Sequence, residues 1–333
     1  MSGTLTRNPP KAVLWGKLVW HPAVRAWNAF TGDAPEPERL EVLRKGTKAA
    51  TYRLVGAGPG GESIIAQRSP AARAVIERAV NEDILSRLAL TAPRYHGYSE
   101  DGRDFVWLFY EDVGDEHFCE TDPAHPVLAA RWVGSLHAGA AGIAAARNLP
   151  DRGPPWYLDH LRVGRDAIRA NRHNPALLLA DTTMLAHLVV DLDALEAAWS
   201  GIERACTGIP ATLTHGDIQR KNMYVRSAAR GGGAELFFID WEMAGWGVPA
   251  PDLTLVDLPT YVSAVRPSWP GVRLEDVQRL AAVGRIFRQV AGIRWVSPAL
   301  AHPDAQCLIR PMAWLRVLHE RLVAALHELG ALT

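Results

Sequence analysis

Cysteine is scarce in this chain, with three in 333 residues, at Cys119, Cys206 and Cys307. An odd, widely spaced set offers neither a disulfide framework nor a metal-ligand spacing, and it fits a reducing compartment. Each cysteine reads as a small buried hydrophobe. Long apolar runs are missing too: no stretch of 18 occurs, and the first 30 residues hold no run of signal-peptide length. The expectation is a cytoplasmic protein with no membrane partner. Net charge is also absent, since 36 Lys and Arg balance 36 Asp and Glu. No general basic field exists to attract nucleic acid. Internal repeats and low-complexity tracts are lacking, which excludes solenoid and array architectures.

What is present is an ordinary globular composition, 48% apolar and 22% charged, in a chain long enough for two lobes. An N-terminal extension and linker spans residues 1–38. Within it 22-PAVRAWNAF-30 opens on Pro and reads as a short amphipathic helix, and 33-DAPEPE-38 is the linker. Alternating runs at 39-RLEVLRKG-46, 50-ATYRLV-55 and 62-ESIIAQR-68 are strands. A helix near 71–88 and strands near 94–98 and at 105-FVWLFY-110 complete a five-stranded sheet with one helix, over 39–110. Residues 111–333 are mostly helical, except for a block at 212–242 where two strands join at 230-RGGG-233. The fold class is α+β, a small sheet lobe and a large helical one. The inserted hairpin is expected at the cleft between lobes, where ligands usually bind.

Two stretches carry chemistry. In 212-TLTHGDIQRKNMYV-225, β-type runs bracket His215, Gly216, Asp217 and Asn222; in 236-LFFIDWE-242, Asp240 ends an apolar strand. A loop carboxylate can take the proton of an attacking hydroxyl. A carboxamide oxygen and a second carboxylate are hard ligands suited to Mg²⁺, which completes its octahedron with waters and phosphate oxygens. Asp and Asn alone are more often turn caps. Their joint spacing is the stronger signal: His-Gly-Asp with Asn five residues after Asp arises by chance about once in a thousand chains of this length.

HGD-x4-N followed by apolar-I-D-W-E resembles the aminoglycoside phosphotransferase and choline kinase-like family, small-molecule relatives of protein kinases with the same two-lobe fold. The resemblance implies Asp217 as catalytic base, Asn222 and Asp240 as Mg²⁺ ligands, and His215 and Asp252 as structural supports of the loop. It implies ATP or GTP as phosphate donor. The family holds the phosphates with a basic residue on the third strand, paired with a helix glutamate. With Ala66 over the base, Arg68 takes that position; a register shifted by one puts Gln67 there and removes the cation. Glu82 would be the paired glutamate. Thr47 and Lys48 are phosphate-loop candidates, and the backbone near Glu111 and Val113 matches the purine-binding hinge. Leu136 and His137 fit a family helix as packing residues.

Only 12 positions separate Asp240 from Asp252, too short for the activation segment of a protein kinase. The acceptor is therefore expected to be a small molecule with a hydroxyl, probed by Trp241, Glu242 and Trp246. Residues 251–333 hold nine basic and seven acidic residues, poor in acid for a polycationic aminoglycoside and better suited to a sugar, nucleoside-type antibiotic or macrolide. The alternatives are a housekeeping sugar or amino-alcohol kinase, or a kinase-like nucleotide binder without catalysis. Monomer and homodimer both remain open.

Overall fold

The computed structural model describes residues 12–46, 49–227 and 233–332. Its first strand, β1 (Ala12–Leu14), precedes helix α1 (Pro22–Thr31). Pro22 starts α1 where a missing N–H costs nothing, and His21 Nδ1 accepts from Ala23 N at 3.2 Å. Gly32, at φ 84°, ends it, with its N–H donating to Asn28 O. Strands β2 (Arg39–Lys45), β3 (Ala50–Val55) and β4 (Ile64–Pro70) follow, then helix α2 (Ala71–Ala79) and strands β5 (Tyr95–Asp101) and β6 (Phe105–Glu111). They form one antiparallel sheet of six strands in the order β1-β2-β3-β4-β6-β5. The sequence accounts for five of them; β1 is the addition.

The N-terminal segment is thus part of the sheet's own structure. Trp27 is 1% exposed, and its Nε1 donates to Ala57 O at 2.9 Å. It packs in one buried cluster with Leu40, Tyr52, Leu54, Ile64, Ala66 and Phe109. Helix α1 therefore covers the sheet face on which the even-numbered residues of β3 and β4 lie.

Helix α3 (Ala124–Ala140) begins the helical part, which continues with α4 (Pro154–Asn171), α5 (Leu179–Ala197) and α6 (Trp199–Cys206). Helices α5 and α6 meet at Ala198, which interrupts the helical run there. Strand β7 (Thr212–Thr214) leads into the His-Gly-Asp loop, and β8 (Met223–Arg226) pairs with β9 (Glu235–Phe238). The turn expected at 230–233 lies, but for Gly233, outside the described residues. Strand β10 (Gly245–Gly247) pairs with β7, and α7 (Leu258–Val265), α8 (Leu274–Val296) and α9 (Ala305–Leu332) complete the chain.

Two compact units result. The described residues within Met1–Leu128 and Gln219–Ala244 form one; those within Ala129–Ile218 and Gly245–Thr333 form the other. The β8–β9 hairpin thus groups with the sheet rather than with the helices that surround it in sequence. In the second unit α8 is the central element, buried through Val277, Leu280, Val283, Ile286, Phe287 and Val290. Gly284 lies on that helix where any Cβ would collide with Ala250 O, so the turn Ala250–Leu253 rests directly on the helix backbone. Among the described residues no helix is long and apolar enough to cross a membrane.

Candidate active site

The first unit contains a cavity of about 370 Å³. Strand β4 presents Ile65 and Gln67 to it, while Ile64 and Ala66 lie in the cluster with Trp27. Alternation along the strand then turns Arg68 away from the cavity. Its guanidinium pairs with Asp101 and stands 3.7 Å from the centroid of the Phe105 ring. The expectation that Arg68 faces the nucleotide side of the strand is therefore corrected: Gln67, the alternative register, faces the cavity.

The helix partner is corrected as well. Glu82 is exposed, bonded to Arg78 and Tyr95. Glu77 is the buried carboxyl beside Gln67: Gln67 Nε2 donates to its Oε2 at 3.2 Å, and Tyr110 OH to its Oε1 at 2.9 Å. Helix α2 ends at Ala79 and opens into a π-turn, Val80–Ile84, which carries Glu82 off the buried face. Burial, and then the negative charge of Asp240, push the Glu77 carboxyl up to about 8, which favours its protonated form. Gln67 thus gives Glu77 a neutral partner where the resemblance implies a cation.

Asn222 and Asp240 both line this cavity. Their backbones are tied together, since Ile239 N donates to Asn222 O at 3.0 Å, next to the β8–β9 pairing. Asn222 N in turn donates to Gln219 O at 2.8 Å, closing the turn Arg220–Asn222. Asp240 has φ 69° and ψ 62°, the one non-glycine residue with positive φ among those described. Asp tolerates this left-handed conformation better than most residues, and such conformations concentrate at functional sites. No cluster of three or more His, Cys, Asp or Glu that could hold a metal occurs among the described residues. One carboxylate and one carboxamide nevertheless fit Mg²⁺, which takes few protein ligands. The upward push of Asp240 on Glu77 marks negative charge that a bound cation would offset.

Glu111 and Val113 line the cavity too. The Glu111 side chain is held by Arg226 at 2.7 Å, with Arg94 N donating to its other oxygen at 3.1 Å. Trp241 is 2% exposed and forms part of the cavity wall, while Glu242 pairs with Arg73 at 3.0 Å. Thr47 and Lys48 lie outside the described residues.

In the second unit the loop bearing Asp217 is built on Asp252. The carboxylate of Asp252 accepts from His215 N at 2.6 Å and Gly216 N at 2.9 Å. It also meets His137 Nε2 at 3.2 Å, and His137 Nδ1 meets Tyr261 OH at 2.9 Å. Asp252, His137 and His215 are fully buried. Charge-assisted bonds inside a low-dielectric core are strong and fix geometry. Gly216, at φ 77°, supplies the left-handed step between β7 and Asp217. Asp217 N then donates to His215 Nδ1 at 3.3 Å. His137, read from sequence as packing, is instead a member of this network; its place on α3 gave no sign of a partner 115 residues away. Trp246 lies on β10 opposite Leu213, half-buried, with Arg147 5.7 Å from its ring centroid.

The phosphotransferase enzyme family model matches residues 39–291, most of the chain, and the chain belongs to that family. Similar solved structures agree in fold. Spectinomycin phosphotransferase in complex with ADP and spectinomycin is 13% identical, with 86% of this chain and 93% of that one covered and a TM-score of 0.55. Wild-type aminoglycoside 2'-phosphotransferase-IIIa with GDP is 16% identical, with coverages of 90% and 96% and a TM-score of 0.59. Choline kinase from Cryptosporidium parvum Iowa II is 13% identical, with coverages of 88% and 90% and a TM-score of 0.59. A search of curated proteins finds no match. The fold is therefore the kinase-like α+β fold of small-molecule phosphotransferases.

Proposed function

We propose that this chain transfers the γ-phosphoryl group of ATP or GTP to a hydroxyl of a small molecule. The observation that carries this reading is the delivery of Asn222 and Asp240 to one cavity by hydrogen-bonded backbones. The nucleotide occupies that cavity, with its purine against the backbone of Glu111 to Val113. Asn222 and Asp240 hold Mg²⁺, which when bound neutralises charge on the phosphate oxygens. Asp217, fixed by the Asp252 network, accepts the proton of the attacking hydroxyl. The acceptor oxygen bonds to the γ-phosphorus, the bond from that phosphorus to the bridging oxygen breaks, and the nucleoside diphosphate leaves. His215 and Asp252 hold the loop and touch no reactant.

The acceptor is neutral or weakly charged, of sugar, nucleoside-antibiotic or macrolide type. Arg147 lies over Trp246, and Arg152 stands 4.4 Å from the Trp156 centroid. Rings already faced by guanidinium groups suit a polycation poorly. Conferring antibiotic resistance in the cytoplasm is the role that follows from such an acceptor. A second reading, nucleotide binding without catalysis, is favoured by the missing cation at Gln67.

The test is Mg²⁺-dependent transfer from ATP and GTP to a panel of aminoglycosides, macrolides, nucleoside antibiotics, sugars and amino alcohols, read by product mass. One phosphate added to one compound, and lost in Asp217→Asn with nucleotide binding kept, is the expected result. Transfer by Asp217→Asn at the wild-type rate would remove Asp217 from its role.

A further inference from the structure

Arg53 is a buried cation with three anionic partners. Along β3, Tyr52 and Leu54 lie in the cluster with Trp27, so Thr51 and Arg53 point to the other face and line the cavity. Arg53 is 8% exposed. Its guanidinium donates to Glu41 Oε2 on β2 at 2.9 Å, and to Asp112 Oδ1 at 3.1 Å and Asp115 Oδ1 at 2.6 Å in the segment after β6. Its Nε stands 2.8 Å from Asp112 Oδ2. Glu41 also pairs with Arg39 at 2.9 Å, so two guanidinium groups meet three carboxylates. Asp112, Val113, Gly114 and Asp115 all line the cavity. The segment starts from Glu111, whose N donates to Arg94 O at 2.8 Å, and ends at Phe118, whose N donates to Met223 O at 3.1 Å. Between these two backbone anchors, Arg53 ties the segment to the sheet through side chains.

We propose that Arg53 is a positioning residue for the nucleotide: through Asp112 and Asp115 it fixes the backbone of Glu111 to Val113, the wall that meets the purine. The inference rests on the nucleotide reading above and names what sets the shape of that wall. Arg53 touches no ligand in this role. An arginine suits it, because a planar guanidinium with five N–H donors can engage several carboxylates at fixed angles, which an ammonium cannot. Burial raises the stakes. Removing the cation strands two carboxylates of one short segment, and their mutual repulsion works against its seat on the sheet. A wall held in place before the ligand arrives need not be ordered by the ligand, which saves affinity. The effect falls on the purine end of the ligand. Asn222 and Asp240 are carried by the β8–β9 hairpin, which has its own backbone bonds.

The experiment is calorimetric titration of the full chain with Mg²⁺-ADP, Mg²⁺-GDP, adenosine and guanosine, each variant held well below its unfolding temperature. Arg53→Gln should weaken the bound nucleoside and its diphosphate by a common factor, roughly tenfold, because the ligand must then order the wall it meets. Arg68→Ala, which breaks an ion pair of the same sheet away from the cavity, should move neither by more than about twofold. Adding Asp112→Asn to Arg53→Gln should return part of the loss by removing one of the two repelling charges. Arg53→Lys and Asp112→Asn alone keep most of the cluster and should give smaller losses, shared in the same way; they decide the matter if Arg53→Gln does not fold. The proposal is overturned if the folded variants keep wild-type nucleoside affinity, or if the loss falls on the diphosphates alone, which would put Arg53 on the phosphates. Wild-type protein that binds none of the four ligands would overturn the nucleotide reading itself, and this inference with it.

Discussion

Glu77→Gln tests the protonated carboxyl most directly. In the fold the Glu77 carboxyl is raised to about 8 from 4.5, by burial first and by Asp240 second. At 1.36 kcal/mol per unit, holding it ionised in the fold costs of the order of 5 kcal/mol. The sign follows from linkage. Between pH 4.5 and 8 the folded chain binds a proton that the unfolded chain has released, so stability falls as pH rises across that window and levels above it. Gln keeps the shape and loses the titration. Its amide can accept from Tyr110 OH, and the Gln67 amide can turn to meet it. Urea unfolding of wild type and variant at intervals from pH 5 to 9 is the assay. The variant should show a flatter loss of stability and stand at or above wild type at pH 8. Parallel pH profiles would refute the assignment of a proton to Glu77.

Asp252→Ala removes the acceptor of His215 N and Gly216 N and leaves His137 without its carboxylate. A loss of about 3–5 kcal/mol is expected, with turnover falling in parallel, and Asp252→Asn should be milder; denaturant melts with activity on the same samples decide it. Arg68→Ala breaks the pair with Asp101 and should leave nucleotide affinity within about twofold, as expected for a partly exposed ion pair away from the cavity. A tenfold loss there would mean that Arg68 does reach the phosphates. Trp27→Ala should cost about 3–5 kcal/mol through the lost burial and the lost bond to Ala57 O, read as an early unfolding transition.

The residues legible in the sequence were those whose role is set by neighbours along the chain. Asp217, Asn222 and Asp240 sit at the ends of short strands with turn residues between, and the spacing alone exposes them. Gln67 and Arg68 were harder, because alternation gives two faces without saying which one holds the ligand. The cover on the other face is α1, whose Trp27 shares a buried cluster with Ala66. A one-residue error in register inverts every side chain of the strand. Glu77 was hidden by a helix whose buried face runs through Ala74, Glu77, Asn81 and Ile84, a spacing of three and four. Val75, an apolar residue of the same helix, is 61% exposed. The π-turn after Ala79 cannot be read from local propensity, and it displaces Glu82.

The residues around Asp252 and those lining the cavity differ in how far they depart from the pattern that the resemblance implies, and burial accounts for the difference. Around Asp252 the side chains of His137, His215 and Tyr261 are sealed from water. Replacing one member strands donors or charge in a low-dielectric core, so the network changes only as a whole. Here it is complete, from Tyr261 through His137 and Asp252 to the backbone of His215 and Gly216. The cavity of the first unit borders solvent, and a cation there needs only to reach the ligand from some wall. A neutral Gln67 beside a buried carboxyl is matched there by the raised carboxyl of Glu77. A double-mutant cycle between positions 67 and 77 should accordingly be non-additive for stability at pH 8, read by urea unfolding.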